Sequence, residues 1–373
     1  MLNQHEIERY KRQISLSEIG FSGQIKLRKA KVLVVGAGGL GCPALQYLCA
    51  AGIGTIGIVD GDLISMSNLQ RQILFSANDL NKSKVNVVKE RLQHINPNTT
   101  IAEYPLFLNA ATALEIFPLY DLIVDCSDNF ECRYIINDVC VALQKPFVSA
   151  AIYHFEGQVA CYNIAQNDGS YSCNYRDVYA EIPDASVHLN CNDAGVMATL
   201  PGLIGLYQAN EVLKYFLNKN RCLVNELLFV NVWNMQHFTL EMEKNTENKV
   251  MSKEEILNYS YAAFCASTQK FTTVNKDSLP TLSAHILWVD VREKHELPNI
   301  INSKILSLPL SKIEQGKEIL NSFEEIAFFC MSGIRSSKAA QYISEIFPEK
   351  KIYNFSGELH QLTPLFHEKR ELV

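Results

Sequence analysis

The chain has 373 residues, too long for one ordinary core, and at ~150 residues per domain it predicts two or three domains. With 47% hydrophobic and 20% charged residues it has the make-up of a soluble globular protein, and a formal charge of −6 removes the overall electrostatic case for nucleic acid. The opening stretch MLNQHEIERYKRQ lacks the apolar core of a signal peptide.

Residues 32–59 carry no charge and are long enough to span a bilayer, but they hold seven glycines, Pro43 and Gln46. They resolve better into strand, glycine turn, helix and strand, so no membrane partner is expected and the location is cytoplasmic. KVLVVG, GTIGIVD and YDLIVDC read as buried strands separated by helical segments, which predicts an α/β fold with a mostly parallel sheet. After the first strand, Gly36, Gly38 and Gly41 form a GxGxxG pattern opening a helix. Such glycines allow a tight turn, close approach of phosphates and helix–sheet packing, and the helix N-terminus favours an anion. Asp60 follows the second strand at a distance suited to a ribose hydroxyl.

Nicotinamide chemistry would be the default for that motif alone. The stretch DGDLISMSNLQRQILF adds Asp60, Asp62, Asn68, Arg71 and Gln72, and NKSKV adds Lys84. Hydride transfer needs little extra cationic charge, whereas an arginine and a lysine beside a nucleotide suit a triphosphate that must react. Asp128, beyond the strand YDLIVDC, is a candidate Mg²⁺ ligand. Each of these residues singly reads equally well as a surface ion-pair partner; their clustering at strand ends does not.

RYKRQI, VLVVGAGGLGCPALQYL, IVDGDLISMSNLQRQILF, DCSDNFECRYIIND and GVMATLPGLIGLYQANEVLKY, in that order, resemble the ThiF/MoeB/HesA adenylyltransferases, relatives of ubiquitin-activating enzymes. The resemblance spans residues 3–243 and implies a Rossmann-like domain that binds ATP and Mg²⁺. It also implies adenylation of the C-terminal glycine of a ubiquitin-fold sulfur carrier ending in Gly-Gly. By motif it assigns Gly36, Gly38, Gly39 and Gly41 to the nucleotide loop and Asp60, Asp62 and Gln72 to nucleotide binding. Asn68, Arg71 and Lys84 fall to the phosphates, and Asp128 with Asn129 to the metal end. Arg12 matches an arginine that reaches the neighbour's site in a homodimer. Many members hold structural zinc through two CxxC pairs. The eleven cysteines here are scattered, no two of them three apart, and Cys173 is followed three residues on by Arg176, so zinc is expected to be absent. Most cysteines should be inert packing groups. Cys191, expected just before a helix starting near Ala194, matches a position that forms a covalent link to the carrier in some members. It remains open whether it does so here or is a bystander.

The polar run MEKNTENKVMSKEE, 242–255, marks a break, giving a first domain at 1–243, a linker at 244–275 and a second domain at 276–373. In that last part HILWVDV and EEIAFFC read as strands, and FFCMSGIRSSKAA puts Cys330 in a turn between strand and helix with Arg335 after it. These segments, with ILWVDVREKHEL and KIYNFSGELHQL, resemble a single rhodanese domain, a small α/β sulfurtransferase fold. The four residues between Cys330 and Arg335 fit its persulfide loop, although NIINSK replaces a usual HIPGA-like segment. Loop amides, the helix N-terminus and Arg335 are expected to lower the thiol pKa from ~8.5 toward ~3.5–7.5. The domain order resembles activators of molybdopterin synthase and of tRNA thiolation. Cys330 is therefore expected to take sulfur from a persulfide donor such as a cysteine desulfurase and deliver it to the adenylated carrier, yielding a thiocarboxylate. Two other readings stay open: an adenylating enzyme acting on another peptide or protein C-terminus without sulfur, and a non-catalytic carrier-binding protein. The Cys330 loop argues against the first, and the intact Arg12, Arg71, Lys84 and Asp128 against the second. Thiamine, molybdopterin and thiolated tRNA remain equally possible end products.

Overall fold

The computed structural model describes residues 2–180, 195–261, 271–276, 279, 283, 286–293, 296, 305–331, 333–357 and 359–362. It divides into two compact units, Met1–Cys265 and Ala266–Val373.

The first unit opens with helices α1 (Gln4–Arg9), α2 (Lys11–Ile14) and α3 (Gly20–Lys29), then runs β1 (Lys31–Val35), α4 (Gly41–Ala51), β2 (Thr55–Val59), α5 (Lys84–Ile95) and β3 (Thr100–Tyr104). It continues through α6 (Ala110–Ile116), β4 (Leu122–Asp125), α7 (Phe130–Ala142), β5 (Phe147–Tyr153) and β6 (Glu156–Tyr162). After these come α8 (Tyr175–Val178), α9 (Thr199–Asn218), β7 (Glu226–Asn231), β8 (Gln236–Glu241) and α10 (Lys253–Asn258). The strands form one sheet in the order β3-β2-β1-β4-β5-β6-β7-β8. Pairing is parallel from β3 to β5 and antiparallel from β5 to β8. KVLVV shows why the parallel part is legible as uninterrupted apolar runs. Val32 and Val34 pack into one core with Leu45, Leu48 and Val88, while Leu33 and Val35 pack into a second with Phe117, Ile123 and Tyr134, so both faces are covered. The chain leaves β1 toward β2 on one side and β4 pairs on the other, which opens a crevice at the carboxyl ends of β1 and β4.

The expected linker is shared between the units. Tyr261 donates its hydroxyl to buried Asp138 at 2.8 Å and Ile256 is fully buried, so 251–261 belongs to the first unit. Apolar and aromatic groups in that polar run give it something to bury. The segment beyond it contributes β9 (Thr272–Val274) to the second unit.

That unit adds β10 (Leu287–Asp290), β11 (Ile305–Ser307), α11 (Lys317–Asn321), β12 (Glu325–Phe329), α12 (Ile334–Ile346) and β13 (Lys351–Phe355). Its sheet, β11-β10-β12-β13-β9, pairs in parallel throughout. Alternate residues of β12 serve opposite cores, Ile326 and Phe328 on one face, Ala327 and Phe329 on the other. Cys330 therefore emerges at the carboxyl end of a central strand.

Candidate active site

The glycine loop sits where β1 must turn sharply. Gly36 adopts φ +97°, and a Cβ there would lie 2.6 Å from the Cys126 carbonyl oxygen at the end of β4. At Gly41, the first residue of α4, a Cβ would come 1.9 Å from the Gly36 carbonyl oxygen. The two glycines let strand, turn and helix close on one another. A Cβ on Gly38 would meet Gln72 Nε2 at 3.7 Å, and one on Gly39 would meet Pro201 Cβ at 3.0 Å and Arg71 Cδ at 3.4 Å. The fold thus brings Arg71 and Gln72 close to the loop.

Asp60, just beyond β2, accepts the Ala37 amide at Oδ2 and the Asp62 amide at Oδ1, both at 2.8 Å. Burial pushes its carboxyl pKa up; Lys84 and the two amides pull the other way. Lys84 opens α5, and its buried Nζ lies 2.7 Å from Asp62 Oδ2 and 3.9 Å from Asp60 Oδ2. A desolvated ammonium held by two carboxylates at the crevice is a strong charge in a low-dielectric place. Arg71 is half-buried and donates to the Ser67 carbonyl at 3.1 Å, while Asn68 Oδ1 accepts the Ser65 amide. Gln72 is buried, and its Oε1 has no hydrogen-bond partner among the described residues. An orphaned acceptor beside a glycine loop fits a bound polar ligand.

Past β4, Asp128 is exposed and accepts one hydrogen bond, from Asn129 Nδ2 at 3.4 Å; Asn129 caps α7 by accepting the Cys132 amide at 2.8 Å. The sequence reading passed over Asp125, the last residue of β4. It is fully buried and accepts from the Ser127 amide and the Ser127 and Ser149 hydroxyls, with Arg133 Nε 3.4 Å away. Arg133 also donates to the Ser127 and Ala150 carbonyls. This network fixes the turn that presents Asp128. An acid one strand residue inside an apolar run was the only signal for it. Arg12 is exposed on α2.

Cys191 lies outside the described residues. The helix start expected near Ala194 falls on the same undescribed stretch; among the described residues Val196 bridges His154 and α9 begins at Thr199. Among the described residues, burial pushes the Cys42 thiol up to about 12, and those of Cys126 and Cys140 well above their ordinary value, as befits packing groups. Cys173 is buried and donates to the Met242 carbonyl at 3.4 Å. Three residues on, Arg176 is partly buried. It pairs with Asp138 through Nε at 2.6 Å and Nη2 at 2.8 Å and lies over the rings of Tyr134 and Tyr259. Among the described residues one cluster has metal-ligand types, Cys161, Glu211 and Cys222. Its carboxylate is already taken by Lys214 and the Leu223 amide.

In the second unit Cys330 is fully buried at the end of β12, and the Ser336 hydroxyl donates toward its sulfur at 3.5 Å. Gly333, at φ +80°, passes the chain into α12, and a Cβ there would lie 3.2 Å from Ser356 Cα. Arg335 carries a bidentate pair with Glu296, Nη1–Oε1 2.5 Å and Nη2–Oε2 2.8 Å. Its charge is therefore shared with a carboxylate. Arg292 is likewise forked onto Asp290 and reaches Met331 Sδ at 3.8 Å.

The ThiF family model matches residues 10–251. Over nearly its whole length the chain is similar to adenylyltransferase and sulfurtransferase MOCS3 of Drosophila virilis, 34% identical over 97% of this chain and 84% of that protein. It is 40% identical to the sulfur carrier protein adenylyltransferase of Thermus thermophilus over 70% of this chain and 97% of the relative. The probable adenylyltransferase/sulfurtransferase MoeZ of Mycobacterium tuberculosis is 33% identical over 91% of this chain and 88% of its own. Among solved structures, E. coli MccB with ATP superimposes with a TM-score of 0.56 at 22% identity, covering 68% of this chain and 76% of MccB, a likeness of fold.

Proposed function

The chain belongs to the ThiF family, and on that premise we propose that it activates the C-terminal glycine of a ubiquitin-fold sulfur carrier with ATP and then supplies sulfur from Cys330. The observation that carries the reading is similarity over 97% of the chain to a protein named for both activities. The convergence of the glycine loop, Asp60, Arg71, Gln72 and Lys84 on one crevice supports it. The carrier carboxylate attacks the α-phosphorus of ATP, an acyl–phosphate bond forms, and pyrophosphate leaves. Two anions must meet, so Lys84 and Arg71 act by offsetting repulsion, and the glycine loop and Gln72 by orienting the nucleotide. Asp60 is suited to the ribose once its hold on the Ala37 amide is shared with a hydroxyl.

Asp128, exposed and lightly bonded, fits a divalent ion held jointly with the phosphates. Mg²⁺ bound there would supply neutralisation of phosphate charge. In the second half-reaction the outer sulfur of a Cys330 persulfide attacks the acyl carbon and AMP departs, leaving the carrier joined to Cys330 as an acyl disulfide. A second thiol, Cys191 or an external thiol reductant, then attacks the Cys330 sulfur, forms a disulfide with it and releases the thiocarboxylate. A protein-borne persulfide, as a cysteine desulfurase makes, is the matching donor. We further infer a homodimer in which Arg12 serves the neighbouring site, a cytoplasmic location, and a Cys173 region held by Arg176 without zinc. Among the described residues no helix is long and apolar enough to cross a membrane. The end product, thiamine, molybdopterin or thiolated tRNA, follows from whichever carrier is used.

Exchange of labelled pyrophosphate into ATP tests the first step. It should require a carrier with its terminal glycine. Exchange that is indifferent to deletion of that glycine sinks the reading.

A further inference from the structure

We propose that Glu296 sets the sulfur-donor class of the Cys330 loop: by holding Arg335 as a neutral pair it admits persulfides and disfavours dianions such as thiosulfate. The inference rests on the reading of Cys330 as the sulfur-carrying thiol and deepens it.

Both arginines flanking the loop are matched by carboxylates. Arg335 and Glu296 meet fork to fork, with side chains 30% and 25% exposed, and Glu296 is itself pinned by the Glu293 amide at 2.8 Å. Arg292 is buried and satisfied by Asp290 through both Nε and Nη2. Arg335 also holds the carboxyl of Glu296 down, to about 2, so the pair stays ionised across the working range. A fork engaged by a carboxylate has spent the planar, two-point geometry with which arginine receives a sulfonate or phosphate face.

The donors differ in the charge they bring to that place. With a persulfide, the Cys330 thiolate attacks the outer sulfur of R–S–SH, the donor S–S bond breaks, and R–S⁻ leaves with the electron pair. Cys330 is left as a persulfide, and the single negative charge moves from one sulfur to another. With thiosulfate, the thiolate attacks the outer sulfur of a dianion and sulfite departs as a dianion, so three negative charges crowd one loop throughout. The first reaction asks for a hydrogen-bond donor, and the Ser336 hydroxyl lies 3.5 Å from the Cys330 sulfur. The second asks for uncompensated cation.

The test is single-turnover loading of Cys330 in the full-length protein, read as the mass gain of one sulfur atom, with cysteine persulfide and with thiosulfate. Glu296→Gln should raise the thiosulfate-to-persulfide rate ratio about tenfold, the scale of one half-exposed unit charge at a few ångströms. Glu296→Asp, which keeps the charge, should stay within about twofold of wild type. Arg335→Gln should move the ratio the opposite way, because it leaves the Glu296 carboxylate without its partner. This second variant decides the matter if Glu296→Gln does not fold. An unchanged ratio, or rates for both donors falling in parallel, overturns the proposal and leaves Glu296 as a brace for Arg335. Failure of the wild-type chain to load from either donor would instead overturn the reading of Cys330 itself.

Discussion

Lys84 concentrates the electrostatics of the first site in one atom. Its Nζ is already paired with Asp62 at 2.7 Å, so phosphate oxygens must compete with that exposed carboxylate for the ammonium. Lys84→Ala should cost roughly 10²–10³ in pyrophosphate exchange, the scale of one preorganised donor, with carrier affinity largely kept. A single added methyl tests the loop. Gly41→Ala places a Cβ 1.9 Å from a backbone oxygen that cannot move without breaking the turn, so nucleotide binding should be lost and the thermal midpoint lowered. The Glu296 pair gives a pH expectation. Its folded pKa of about 2 lies below the ordinary 4.5, so its contribution is complete above 4.5 and fades only as pH falls through the folded value. The donor ratio of wild type should accordingly be flat from about pH 5 upward as far as this pair is concerned; a ratio that changes steeply near neutrality would point to another group.

Elements were legible in the sequence to the degree that their packing was local or two-sided. Past their first residues, KVLVV, TIGIV and EIAFF announce parallel strands because burial on both faces disfavours charge. The antiparallel β6–β8 were less visible, since every residue of β8 is exposed and QHFTLE carries no buried face. The glycine loop and its partners could be named from motif order, but pairings between distant residues could not. Glu296 with Arg335, Asp125 with Arg133, and Arg176 with Asp138 are each ordinary charged residues until the fold joins them. The last pair shows what holds the segment around Cys173. Arg176 joins α8 to α7, stacks on two tyrosines, and Asp138 also takes the Tyr261 hydroxyl. Arg176→Met should cost about 3 kcal/mol in urea unfolding, because it strands a buried carboxylate. Asp138→Asn added to it should recover much of that loss. Prolonged chelation should leave the wild-type midpoint unmoved, and a drop on chelation would reveal a metal in this region.

At the scale of the whole molecule, two chemistries with different requirements share one chain. On the proposed reading, adenylation needs ATP and no thiol, and sulfur loading needs Cys330 and no ATP. The two half-reactions should therefore separate by mutation and meet only in the product. The decisive measurement is the mass of the carrier C-terminus after incubation with ATP, Mg²⁺ and a persulfide donor, run with wild type and with Cys330→Ser. Wild type should convert the terminal carboxylate to a thiocarboxylate. Cys330→Ser should keep pyrophosphate exchange near wild type and form no thiocarboxylate from the persulfide donor. Thiocarboxylate made by Cys330→Ser at the normal rate would contradict the sulfur route drawn here.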